Sequence, residues 1–101
     1  MFSLQVFTEI PNLSQWAKSV FPGSEVDCRK GDGKGGTETK LNGQYTVQEC
    51  VTAVINNHPS ANGASMNFDC PNNCSCWAEF DMDGWEPKPL FQACYFKKRG
   101  K

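Results

Sequence analysis

Apolar residues at every second position open the chain: Phe2, Leu4 and Val6 of FSLQVFT alternate with polar neighbours. That is the period of a half-buried strand over residues 2–8, ended by Pro11. The spacing then changes. In NLSQWAKSVF, Leu13, Trp16, Ala17 and Val20 fall at helical intervals ahead of Pro22-Gly23, which predicts a short helix. From Gly31 to Gly43, GDGKGGTETKLNG holds five glycines and no core residue except Leu41, so it reads as a flexible loop. It lacks the Gly-Lys-Ser/Thr ending of a phosphate-binding loop, and no apolar strand feeds it.

The clearest element is YTVQECVTAVINNHP. Thr46 and Glu49 form the capping-box pattern, in which each side chain satisfies a free backbone N–H of the first turn. Val47, Cys50, Val51, Val54 and Ile55 make one apolar stripe, which aims Cys50 at the core. Pro59 disfavours the α conformation at His58 and stops the helix. After the turn PSANG, three strand-like runs follow: ASMNFDC, CSCWAEFDM and PLFQACYF. Alternation puts Cys76, Ala78 and Phe80 on one face and Trp77, Glu79 and Asp81 on the other. In the last run Gln92, Cys94 and Phe96 share a face, opposite Phe91, Ala93 and Tyr95. These runs predict a single α+β domain over residues 1–101, with its core at about 28–96 and one amphipathic helix packed on a small antiparallel sheet.

Composition changes this picture in two ways. Ten Lys and Arg against eleven Asp and Glu leave no basic excess for nucleic acid, and KKRGK, Lys97 to Lys101, reads as a solvated tail. No window reaches the ~20 apolar residues of a membrane span, so membrane insertion is not expected. The start MFSLQVFTEIPNLSQW has no basic n-region and does not read as a signal peptide, which argues against secretion unless Met1 merely initiates an expressed mature form. Two sequons, at Asn12 and Asn73, argue weakly the other way.

Six cysteines in so short a chain point first to disulfides. Fifteen pairings are open, and spacing alone does not choose. Cys50 on the buried helix stripe and Cys76 on a strand beneath it suggest one staple, while Cys28 and Cys94 could join the two ends of the domain. A Cys28–Cys94 bridge would stabilise by about 4 kcal/mol through loop closure, against about 2 kcal/mol for one across the short CPNNC loop, Cys70 to Cys74.

From Cys28 to Phe96, a leading cysteine, the capped helix entered through YTVQECV, the strand CSCWAEF and the terminal FQACYF resemble the PAN/apple domain superfamily. HPSANG followed by CWAEF is also similar to small invertebrate extracellular domains, a likeness that implies no function. The apple resemblance implies a helix cradled by an antiparallel sheet, a bridge tying the ends together and a helix-to-strand bridge. Many apple domains carry a second cysteine one turn along the helix. Val54 stands there in this chain, so the third bridge is expected to be the local Cys70–Cys74.

Other chemistries fit less well. Cys70, Cys74 and Cys76 with His58 or Cys50 could ligate zinc, but the paired Cys-x2-Cys knuckles are missing, and a helix-terminal position explains His58. No Cys-x-x-Cys opens a helix, as redox catalysis would require. Glu79 and Asp81, about 7 Å apart on one strand face, could pair as hydrolase carboxylates, yet a domain this small has little room for a substrate cleft. DMDGWE begins like a calcium loop but places Gly84 too early, so an Asp-Gly turn is expected.

The remaining feature is aromatic and acidic: Trp77, Glu79, Asp81, Asp83 and Trp85. Tryptophans supply contact area, and carboxylates accept hydrogen bonds from hydroxyls or act as weak calcium ligands. A competing expectation is that Trp77 and Trp85 simply cover the second face of the sheet. The resemblance implies a non-enzymatic, secreted binding module that recognises carbohydrate or an extracellular protein, with no resident cofactor, and the Trp and acidic set favours carbohydrate. The alternatives are an adhesive or structural matrix component and an intracellular zinc-binding domain.

Overall fold

The computed structural model describes residues 13–67, 70 and 72–98, so the strand expected at residues 2–8 and the sequon at Asn12 lie outside the described residues. Among these residues two helices form, α1 at Leu13–Val20 and α2 at Val47–Asn57. Around them run β1 (Glu25–Lys30), β2 (Asp32–Lys34), β3 (Thr37–Lys40), β4 (Gly63–Asn67), β5 (Cys76–Phe80), β6 (Gly84–Glu86) and β7 (Phe91–Lys98). Five strands form one antiparallel sheet in the order β1-β7-β4-β5-β3, and β2 pairs with β6 as a separate two-stranded ribbon. The protein is thus a small α+β fold carrying three disulfides.

α2 starts where its local chemistry dictates. The Thr46 hydroxyl accepts from the Glu49 N–H at 3.0 Å, and Glu49 Oε1 accepts from the Thr46 N–H at 2.9 Å, which completes the capping box. His58 caps the other end, its N–H bonded to the Val54 carbonyl. Val47, Cys50, Val51 and Val54 are buried, whereas Ile55 at the edge of the stripe is only partly covered. They pack on Ala64, Met66, Cys76, Ala78, Cys94 and Phe96, the residues that strand alternation turns toward the helix. α1 adds Leu13 to this core, and its Ser14 hydroxyl accepts from the Cys28 N–H at 2.9 Å.

All six cysteines are bridged: Cys28–Cys94, Cys50–Cys76 and Cys70–Cys74. The first links adjacent strands across 66 positions of sequence, and the second fastens α2 to β5. No thiolate remains for the zinc ligation considered above.

Two expectations need correction. The glycine-rich stretch from Gly31 to Gly43 is not a structureless loop, because it supplies β2 and β3. Partners distant in sequence, β6 and β5, provide the hydrogen bonds that local propensity does not. Between those strands the chain reverses at Gly35 and Gly36, with φ of 94° and 65°. A Cβ on Gly36 would fall 1.7 Å from the Phe80 carbonyl oxygen, so only glycine fits there. Nor does Gly84 sit in an Asp-Gly turn. It begins β6, and the bend lies earlier, at Asp81, whose φ is 60°.

Candidate functional site

The ribbon lies across the sheet on the side away from α2, and it decides where the sequence-predicted residues end up. Gly33 N donates to the Ser65 hydroxyl at 3.2 Å, and the Trp85 indole N–H donates to the Ala93 carbonyl at 2.8 Å. Each contact ties one ribbon strand to the middle of the sheet. The absence of a side chain at Gly33 is what permits the approach, since a Cβ there would lie 2.8 Å from Glu79 Cδ.

Glu79 is therefore not an exposed acceptor; it is 1% accessible. The Ser65 hydroxyl donates to Glu79 Oε2. Burial pushes the Glu79 carboxyl up to about 8; the Ser65 donation opposes that rise, while the hydrogen bond to Glu38 and the charges of Glu38 and Asp32 add to it. At neutral pH Glu79 is mostly protonated and serves as a donor toward Glu38. Asp32, Glu38 and Glu79 each bring a carboxylate oxygen within 4.8 Å of the other two, the donor set among the described residues that could grip a cation. The unpartnered buried oxygen of Gln92 belongs to the opposite, helix-facing side and adds nothing to this set.

The predicted five residues separate into four environments, of which enclosed Glu79 is one. Trp85 is half-buried, its N–H is used by Ala93, the Arg29 guanidinium stacks over its ring at 4.3 Å, and Tyr95 meets it edge-on at 6.1 Å. It holds the ribbon to the sheet. Asp81 and Asp83 are exposed and lie in the bend beyond β5, with the Asp83 carboxylate set against Gly35. They join neither Glu79 nor each other in a shared cluster.

Trp77 is half-buried like Trp85, but it is not covered by the ribbon's own hydrogen bonds. Its ring lies 5.4 Å from that of Phe91, tilted by 40°, so the two form a continuous aromatic platform across β4. Lys40 approaches the Trp77 ring at 5.8 Å, and Lys88 lies 4.0 Å over Phe91 while its ammonium also sits 3.7 Å from Asp32. The Trp77 indole N–H has no partner among the described residues, unlike that of Trp85. Beside the platform and sharing Lys88 with it, a hollow of about 510 Å³ opens among Lys30, Trp85, Pro87 and Pro89.

Sequence reasoning missed Asp32, Glu38, Lys40 and Lys88 as members of this surface. One signal was present: TETK alternates threonine with charge, a strand pattern concealed by the flanking glycines. No family model matches the chain, and neither a curated protein nor a solved structure does.

Proposed function

We propose that the chain is a non-enzymatic, disulfide-stapled binding module with a PAN/apple-like fold, working outside the cell and recognising a glycan that carries acidic groups. The observation behind this reading is the Trp77–Phe91 platform with a lysine at each end. A pyranose presents an apolar C–H face that suits a flat aromatic surface, and a carboxylate or sulfate on the sugar suits Lys40 and Lys88. With Glu79 enclosed and Asp81 and Asp83 turned aside, the charged groups set over the two rings are the ammoniums of Lys40 and Lys88, while the carboxylates of Asp32 and Glu38 gather around Glu79. Three bridges are compatible with an oxidising compartment, and no described helix is long and apolar enough to cross a membrane.

An array of neutral and acidic glycans tests this. Wild type is expected to retain acidic glycans in a salt-sensitive manner, Trp77→Ala to lose them, and Lys40→Gln to weaken them selectively. Unchanged binding by Trp77→Ala would overturn the assignment.

A further inference from the structure

On the far side of the sheet from the platform, Trp16 of α1 and Tyr45, just ahead of the α2 cap, line a groove of about 630 Å³ together with Gln44, Gln48, Glu49 and Thr52. We propose that this groove is a second, separate binding site, for a neutral hexopyranose unit.

Its hydrogen-bonding groups are of the kind a polyol needs. The side-chain amides of Gln44 and Gln48 have no partner among the described residues, so each offers both donors and an acceptor. The Trp16 ring is braced edge-on by Phe21, with centroids 6.0 Å apart and planes at 88°, and its indole N–H is likewise unpartnered among the described residues. A half-buried ring with an unused donor, facing two unused amides, provides a stacking surface bordered by hydroxyl partners.

The remaining walls exclude other occupants. Among the described residues no lysine, arginine or histidine lines the groove, and Glu49 brings a carboxylate to it, so an acidic sugar would meet repulsion without a counter-charge. At the start of α2 the capping box already takes the Thr46 and Glu49 N–H groups, and its Glu49 carboxylate disfavours an anion there. An apolar peptide side chain would strip water from two amides and leave them unpaired, a cost that a sugar's hydroxyls avoid.

The experiment is a titration of ¹⁵N-labelled protein with methyl glycosides of glucose, galactose, mannose and N-acetylglucosamine, followed by NMR. At least one sugar is expected to shift the Trp16 indole N–H and the Gln44 and Gln48 side-chain amides while leaving the Trp77 and Trp85 indoles in place. Gln48→Ala should weaken that sugar roughly fivefold, the loss of one or two ordinary hydrogen bonds. Trp16→Phe keeps an aromatic ring beside Phe21 but removes the indole N–H and part of the stacking area, so it should weaken binding. If no glycoside moves the Trp16 signal, or if Gln48→Ala binds as tightly as wild type, the proposal fails. Trp77→Ala should leave the Trp16 shifts intact, so failure of the platform reading and failure of this one can be told apart.

Discussion

On the side of the sheet facing α2, Ala64, Met66, Cys76, Ala78 and Cys94 meet Val51 and Val54, and two disulfides reinforce the contact. On the other side, Ser65, Glu79, Ala93 and Tyr95 meet a two-stranded ribbon through a shared hydroxyl, a neutral carboxyl, an indole hydrogen bond and a stacked guanidinium. The first side owes its strength to apolar burial and to a chain whose unfolded state is restrained, neither of which depends on pH. The second depends on a proton and on partly exposed charges. One sheet therefore carries an insensitive face and a titratable one, and the Trp77–Phe91 platform lies on the titratable side.

The largest test of that contrast removes a staple. Cys28→Ala with Cys94→Ala is expected to cost about 4 kcal/mol in urea denaturation, a large fraction of a small domain's stability. A shift of the midpoint too small to measure would mean that the helix-facing side does not depend on its cross-links.

A smaller effect should come from Glu79→Gln. Glu79 has its folded value raised from an ordinary 4.5 to about 8, so its stabilising contribution is full below about 4.5 and is lost as pH rises toward 8. Wild type should thus melt at progressively lower temperature across that window. Glu79→Gln keeps an acceptor for Ser65 and a donor for Glu38 without an ionisable proton, so its melting temperature should be flatter with pH and higher than wild type at pH 8. Parallel pH profiles for the two proteins would show that the titratable group lies elsewhere.

The smallest expected change is for Arg29→Ala. Its guanidinium covers Trp85 but is exposed and is also paired with Asp27 at 2.8 Å. Exposed pairs contribute little, so thermal stability should barely move, and binding at the Trp77 platform should not move at all. A large loss in either would mean that the ribbon is held by its cations rather than by the Trp85 indole bond.

What could be read in advance divides along the same line. The features of the helix-facing side are local: Thr46 and Glu49 three residues apart, a stripe repeating every turn, and strand alternation that brings Cys76 beneath Cys50. The ribbon is not local. Asp32–Lys34 and Gly84–Glu86 are three residues each, far apart in sequence, and neither carries an apolar period. Without the ribbon, alternation leaves Glu79 facing water; with it, the same alternation encloses the side chain. Trp77 and Trp85, which look equivalent as outward tryptophans, are separated only by which indole N–H finds a carbonyl.

β3 also bounds the sheet. It is the last strand in the order, only four residues long and exposed throughout, so its outer backbone groups could template another chain. Glu38 and Lys40 place opposite charges along that border, and the chain turns away after Leu41. A hydrophobic strand of another molecule adding there would bury those charges. The residues that flank Trp77 and Glu79 thereby also work against self-association, so a substitution meant to change ligand preference at Lys40 would at the same time alter the protein's tendency to aggregate.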